Sequence, residues 1–238
     1  MTVPHPHGVQ AFIDLRSPYS YLALGPARAL ARETGVGFDW WPYLTDFRSA
    51  YGGEVEARSS RDIAKLKYLY MDCRRLARLQ GLTIRATTKL WDAAPASQAM
   101  LFAKSRGRLW EFCDPLLEAF WRREFDLESA GDIEAALVRA GLQSADWRRY
   151  LAAEATPALA AAAERAGQLG VFGAPTFVYQ GELFWGGDRL DLLAAAIRAG
   201  GPESGVPLNH RSRRNGAGAA DQLSADSCAA LPAPVRAP

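Results

Sequence analysis

The stretch that decides the fold is DLRSPYSYLA, residues 14–23. It joins an apolar run, residues 9–15, to a pattern of Ala and Leu at helical spacing that continues to residue 34. Ser17 followed by Pro18 is typical of a helix start, because a serine side chain caps free backbone amides and a proline at the first helical position has no amide to satisfy. The pattern predicts a strand over 9–15 and a helix over 18–34 with Ser17 at its N-cap.

A second strand follows closely. Gly35 is a helix stop, and residues 36–41 are apolar and aromatic up to Pro42, which predicts a strand ending before that proline. A strand, a helix and a strand within about 35 residues fit a βαβ unit with parallel strands and a right-handed crossover.

Residues 45–170 show almost no strand alternation, and we interpret them as an inserted all-helical subdomain. A helix is expected to open at Ser59-Ser60-Arg61-Asp62 and to end at Gly81. The other helices are predicted over 95–106, 108–122 with a kink or break at Pro115, 132–140, 144–153, and 157–168 with Thr156 as its cap.

Strands return after Gly170. Residues 175–179 and 182–185 are predicted to form a hairpin around the turn Gln180-Gly181, and Gly186-Gly187-Asp188 is predicted to cap a last helix over 189–199. The predicted architecture is therefore α/β, with one domain built from residues 9–44 and 171–200. Residues 201–238 lack periodicity and are rich in Gly, Ala, Ser, Pro and Arg, which predicts a disordered tail.

The charge and the residue composition exclude several kinds of partner and site. A net charge of +2 gives no reason to expect a nucleic acid or an anionic membrane surface as partner. The three cysteines form no Cys-x-x-Cys pair, and the three histidines lie near the chain ends, so neither a histidine-activated nucleophile nor a histidine metal site is expected. Neither a signal peptide nor an apolar run of about 18 residues is evident, which predicts a cytoplasmic protein without a membrane partner.

Three segments carry a resemblance to a known family. FIDLRSPYSYLA (12–23), RDIAKLKYLYMDCRRLARLQG (61–81) and GVFGAPTFVYQGELFWGGDRLDLL (170–193) are similar to the 2-hydroxychromene-2-carboxylate isomerases, relatives of the kappa-class glutathione transferases and of DsbA-type oxidoreductases. The resemblance runs over residues 9–200. It implies a thioredoxin-like fold, βαβ then ββα, with a large helical insertion. Ser17 occupies the position of the first reactive cysteine of that fold, and Ala174-Pro175 occupies the position of its cis-proline.

The resemblance also implies an activity. Such enzymes use glutathione to convert a 2-hydroxychromene-2-carboxylate to a trans-o-hydroxybenzylidenepyruvate in aromatic catabolism, and relatives tend to be homodimers. Ser17 would hold the glutathione sulfur, because a hydroxyl at a helix N-terminus stabilises an anion there. The implied glutathione contacts are Ser17, Pro18, Tyr19, Ser60, Ala174, Pro175, Gly187 and Asp188. The implied contact to the carboxylate of the aromatic substrate is Arg48. Trp91 is a further candidate substrate contact, because an aromatic side chain can line a flat apolar pocket.

Two other functions remain open from the residues. A kappa-type glutathione transferase acting on another electrophile would share the Ser-Pro-Tyr motif, and a DsbA-like domain without its cysteines could bind peptides along the strand edge beside Pro175. The same residues also have purely structural interpretations. Ser17 and the Gly187-Asp188 pair could be ordinary helix caps, and the Ala174-Pro175 bond could be trans, as most such bonds are.

Overall fold

The structure, a computed structural model, describes residues 8–46 and 59–200. Its sheet has four strands: β1 (Val9–Ile13), β2 (Phe38–Pro42), β3 (Thr176–Tyr179) and β4 (Glu182–Trp185). The order across the sheet is β2-β1-β3-β4. β2 lies parallel to β1, whereas β3 is antiparallel to both β1 and β4. This arrangement confirms the predicted thioredoxin-like α/β class.

Helix α1 (Pro18–Thr34) connects the two parallel strands. It begins as the sequence predicts, because the Ser17 side chain accepts a hydrogen bond from the Ser20 amide, and it ends where Gly35 adopts a left-handed conformation with φ of 71°. The second strand includes Pro42, contrary to the prediction that the strand ends before it. A proline is tolerated there because β2 is an edge strand of the sheet.

The helical block lies between β2 and β3 in the chain. Its described helices are α2 (Ser60–Leu79), α3 (Ala94–Ser105), α4 (Leu109–Arg122), α5 (Ala130–Arg139), α6 (Ser144–Ala153) and α7 (Ala155–Gln168). Of the predicted kink or break at Pro115, the break is absent, since α4 runs continuously through that residue. The prediction of Thr156 as a cap is also wrong: α7 begins at Ala155 directly after Glu154, which ends α6, so no separate capping residue fits between the two helices.

The hairpin forms as expected. Gln180 and Gly181 have φ of 49° and 86°, which are the positive values that a two-residue hairpin turn requires. The last helix, α8 (Leu190–Arg198), differs from its prediction. Gly187–Arg189 form a short 3-10 turn before it, and the Asp188 carboxylate pairs with Arg189 instead of capping the helix.

One hydrophobic core joins the sheet to the helices of the block. It runs from Phe177 on β3 through Trp121 on α4 to Phe102 on α3, all of them fully buried. Cys73 and Cys113 are buried in this core. In the described ranges, no helix is both long and apolar enough to cross a bilayer, and no cluster of side chains suited to a metal ion occurs. The predicted tail, 201–238, lies outside the described residues.

Candidate active site at the start of the first helix

The site is centred on Ser17, which the β1–α1 turn places at the carboxyl end of β1. The Ser17 amide donates to the Asp14 carbonyl at 2.9 Å, and the Asp14 amide donates to Ser20 Oγ at 3.2 Å. The turn is thus closed by its own hydrogen bonds. Ser17 is 7% exposed, so its hydroxyl lies at the bottom of a depression and not on an open surface.

The first turn of α1 offers one free amide. Pro18 has no N–H, the Ser20 N–H donates to Ser17 Oγ at 3.2 Å, and the Tyr21 N–H donates to the Ser17 carbonyl at 3.1 Å. Among the described residues, the Tyr19 N–H is therefore the donor left to an incoming group at this helix end. The helix dipole adds a partial positive charge at the same point, which favours an anion.

The loop before β3 faces Ser17. The Ala174-Pro175 bond is cis, and the Ser17 hydroxyl lies 3.5 Å from the Ala174 carbonyl oxygen. That distance is long for a hydroxyl donor, so the hydroxyl is able to turn toward a better acceptor. The Pro175 carbonyl accepts from the Gly186 N–H at 2.9 Å, which ties the cis-proline to the start of the 3-10 turn.

Two cavities open on this centre. The first, of about 470 Å³, is lined by Ser17, Tyr19 and Ala174 together with Trp91 and Lys89. The second, of about 530 Å³, is lined by Ala174, Pro175 and residues 185–189, and by the facing residues of α1 and α2. The two cavities share Tyr19, Ala174 and Trp185, so they meet beside the cis-proline.

Tyr19 lies where the cavities meet and is fixed by α2. Its hydroxyl donates to Asp72 Oδ2 at 2.9 Å. Burial, followed by the neighbouring Cys73 and Asp72, raises the pKa of the Tyr19 phenol above its ordinary value of 10.0. Tyr19 is therefore a neutral hydrogen-bond donor at physiological pH and not a base. Burial also raises the pKa of the Cys73 thiol from 9.0 to about 12, so this cysteine beside the site stays protonated.

Arg16 is a site residue that motif reasoning overlooked. Its guanidinium donates to both carboxylate oxygens of Asp14, at 3.0 and 2.8 Å, and also to the Trp91 and Thr45 carbonyls, each at 3.0 Å. Asp14 is buried and also accepts from the Thr45 amide at 2.8 Å. One ion pair thus joins the β1–α1 turn, the loop after β2 and the loop that carries Trp91. An arginine directly before the cap serine was the available signal.

Trp91, a predicted substrate contact, is one of the residues around the first cavity. It packs edge-to-face on Phe120 at 5.9 Å between ring centroids, and carries Lys89 Nζ 4.2 Å from its ring centroid. Lys89, which the sequence analysis missed, also pairs with Glu128 at 2.6 Å. Within the described residues, Arg16 and Lys89 are the cationic side chains that line this cavity.

The remaining predicted contacts fall in different places. Pro18 lines the first cavity, and Pro175, Gly187 and Asp188 line the second. Ser60 does not line either of these cavities in the described chain; it is exposed at the start of α2, where Ser59 and Asp62 form the capping box. Arg48 lies outside the described residues.

A parallel strand pair, an antiparallel hairpin and a helix N-terminus that faces a cis-proline define a thioredoxin-like protein. The comparison with protein families is more specific: the model described as the DSBA-like thioredoxin domain matches residues 8–198, and the chain belongs to that family. Residues 17–20, Ser-Pro-Tyr-Ser, contain no cysteine.

Its relatives include isomerases. The chain is 24% identical over 190 residues to a 2-hydroxychromene-2-carboxylate isomerase of Sphingobium xenophagum, covering 79% of this chain and 97% of the relative. It is 26% identical over 206 residues to the protein of the same name from Pseudomonas sp. (strain C18), covering 84% and 92%. These matches confirm the resemblance inferred from the three sequence segments.

Solved structures show the same fold. A 2-hydroxychromene-2-carboxylate isomerase superposes with a TM-score of 0.67 at 23% identity, covering 80% of this chain and 94% of that one. A probable DsbA oxidoreductase from Streptomyces coelicolor superposes with a TM-score of 0.61, also at 23% identity, covering 85% and 93%.

Proposed function

We propose that this protein is a glutathione-dependent isomerase that converts 2-hydroxychromene-2-carboxylate-type substrates to trans-o-hydroxybenzylidenepyruvate-type products. The observation that carries the proposal is the Ser17 hydroxyl, held at the start of α1 and 3.5 Å from the carbonyl that precedes a cis-proline. It lines one cavity, and a second cavity joins the first at Tyr19, Ala174 and Trp185. The named relatives support the reaction class, since those relatives are isomerases of 2-hydroxychromene-2-carboxylate by name.

The residues fit glutathione. Its γ-glutamyl end carries an ammonium and a carboxylate, and the second cavity offers the Asp188 carboxylate and the Arg189 guanidinium, which pair with each other at 2.7 Å. Its middle is an extended peptide, which the half-buried Ala174 backbone can meet in the manner of an added strand. Its sulfur would then lie at Ser17, which lines the first cavity beside the shared residues Tyr19 and Ala174.

Glutathione would supply the thiolate that adds reversibly to the unsaturated substrate, and the chain itself has no thiol suited to this role among the described residues. The protein contributes the Ser17 hydroxyl and the Tyr19 amide as donors, and the α1 dipole favours negative charge at the same point. Ser17 is not a nucleophile here, because no base lies within hydrogen-bonding distance of it in the described structure.

The first cavity would hold the aromatic substrate. Trp91 gives an apolar wall, and Lys89 at its ring offers a cation for the substrate carboxylate. Arg16 is a less suitable anchor, since its side chain is 12% exposed and bonds the buried Asp14 and two carbonyls, whereas the Lys89 side chain is 48% exposed and its partner Glu128 lies at the surface. We therefore propose Lys89 in addition to the predicted Arg48 as a carboxylate contact.

Titration calorimetry with glutathione, with and without substrate, tests the proposal. We expect binding, and stabilisation by about 2.7 kcal/mol at a glutathione concentration 100 times its Kd. Isomerisation of 2-hydroxychromene-2-carboxylate should require glutathione. S-methylglutathione is the matched control, because it retains the peptide but has no free thiol, and it should bind without supporting turnover.

Three other results would each contradict part of the proposal. Isomerisation that proceeds equally well without glutathione would show that glutathione is not the cofactor. Conjugation of glutathione to aryl halides without isomerisation would indicate a kappa-type transferase instead. A thermal shift with an extended peptide but none with glutathione would indicate a DsbA-like binding domain that has lost its cysteines.

A further inference from the structure

Two large aromatic side chains beside the site are exposed to an unusual degree. Phe172 is 64% exposed and Trp185 is 55% exposed, although both adjoin buried segments of the core. Their rings contact each other edge-to-face, with 4.9 Å between centroids and 62° between planes. An isolated exposed aromatic needs no explanation, but a contacting pair at the entrance of a cavity is a typical ligand surface.

The backbone sets the direction of both rings. On β4, Phe184 points into the core, so the next side chain, Trp185, points to the opposite face of the sheet. Val171 is buried and Phe172 turns outward on the loop that leads to the cis-proline. Both rings line the first cavity, and Trp185 also lines the second.

Gly173 fixes the position of the indole. A Cβ built on Gly173 would lie 2.9 Å from Trp185 Nε1, which is closer than a side chain tolerates. A residue other than glycine would therefore displace the indole from the loop that carries Ala174. The Trp185 indole therefore lies beside Ala174, near Ser17, where we expect the glutathione sulfur.

We propose that Phe172 and Trp185 form a stacking surface that selects planar aromatic substrates for the first cavity. The inference rests on the proposed function and makes it more specific, because it assigns recognition of the ring to this pair in addition to Trp91. An aromatic ring seated there lies next to both Ser17 and the glutathione site, since Trp185 belongs to both cavities.

The test uses two α,β-unsaturated carboxylates that differ in one group, cinnamate with a phenyl ring and crotonate with a methyl group. Their dissociation constants are measured by calorimetry on the glutathione-loaded protein. We expect cinnamate to bind more tightly, and we expect Trp185→Ala or Phe172→Ala to reduce this preference by about threefold to tenfold, the range for one aromatic contact. Trp185→Phe should retain most of it.

Tyr68→Ala is the matched control, since Tyr68 is 56% exposed on α2 and is not among the residues that line either cavity in the described structure. It should leave the preference unchanged. Glutathione affinity, measured in the same variants, separates this inference from the proposed function. If both aromatic variants bind glutathione normally and keep the preference for cinnamate, the stacking surface is overturned and the proposed function stands. If the wild-type protein does not bind glutathione, the proposed function is overturned.

Discussion

The single oxygen of the Ser17 hydroxyl makes two contacts. It accepts the Ser20 amide, which starts α1, and it faces the Ala174 carbonyl, which belongs to a loop 157 residues further along the chain. Helix capping and the proposed sulfur contact therefore depend on the same atom, and a substitution separates them only if stability and turnover are measured together.

Replacing Ser17 with Ala should lower the free energy of unfolding by about 1 kcal/mol, the usual cost of a lost cap. Turnover should fall far more, by about 100-fold to 1,000-fold, because one hydrogen bond to developing negative charge is lost. Chemical denaturation and kcat/KM report the two effects.

The control for that variant is Ser129→Ala. Ser129 caps α5 by accepting from Asp132 N at 3.2 Å, the same distance as at Ser17. It should cost similar stability and leave turnover unchanged. Equal turnover in the two variants would show that the Ser17 hydroxyl takes no part in the reaction.

The thiols beside and behind the site should be inert. Burial raises the pKa of both Cys73 and Cys113, so little thiolate exists at pH 8 in the folded state. In a Cys228→Ser background, an aromatic disulfide reagent should react slowly with the native protein and rapidly with two thiols after denaturation. Fast reaction of a native thiol would show that the chain has a sulfur nucleophile of its own.

Raised thiol pKa values also have a consequence for stability. The folded state holds these protons more tightly than the unfolded state, whose thiols have ordinary pKa values. Stability from this source is complete below the ordinary thiol pKa of 9.0, and it falls as the pH rises toward about 12, the folded value for Cys73. Replacing Cys73 with Ala should flatten this alkaline loss in denaturation curves measured between pH 8 and 11.

At the scale of elements, the Arg16–Asp14 pair joins three loops that come from distant parts of the chain. The Arg16 and Asp14 side chains are 12% and 0% exposed, so this pair is buried, unlike the ion pairs at the surface of the molecule. Removing one partner leaves a buried charge without compensation.

Arg16→Ala should therefore destabilise the fold by about 3 kcal/mol, whereas Arg28→Ala should cost less than about 1 kcal/mol. Arg28 is a suitable comparison, because it also bonds both oxygens of one carboxylate, Asp114, but at the surface. Urea denaturation distinguishes the two. Equal losses would show that Arg16 is not needed to hold the loops together.

The elements themselves were largely readable from the sequence, because local signals determine them. Ser17-Pro18, Gly35 and Gln180-Gly181 each fix a boundary through their own backbone preferences. α4 does not break at Pro115, since packing of its apolar face outweighs one missing hydrogen bond. The prediction for Asp188 failed because an aspartate at this position fits a helix cap and a 3-10 turn equally well.

The site was harder to predict than the fold. Ser17, Ala174 and Pro175 could be paired by resemblance, but the contacts of Arg16 with the Trp91 and Thr45 carbonyls depend on loop paths that no periodic pattern encodes. Phe172 and Trp185 escaped notice because an apolar residue in a strand or beside one is normally assigned to the core.

At the scale of the whole molecule, the sheet and the helical block share a core although the chain enters and leaves the block through different strands. Phe102, on α3, is fully buried and packs on Trp147 and Tyr150. The predicted subdomain boundaries, the homodimer and the cytoplasmic location stay predictions.

A shared core should make the described region unfold as one unit. Phe102→Ala should cost about 3–5 kcal/mol, and helical circular dichroism and tryptophan fluorescence should still change at the same denaturant concentration. Two separate transitions would mean that the helical block is stable without the sheet.

The central position of β1 has a consequence for synthesis on the ribosome. One edge of β1 pairs with β2, which follows within 30 residues, but the other edge waits for β3, which begins at Thr176. At translation rates of about 5–20 residues per second, that edge is open for on the order of ten seconds in every nascent chain. During this interval the strand is an unprotected template for aggregation, which early release or a premature stop codon before β3 would make permanent.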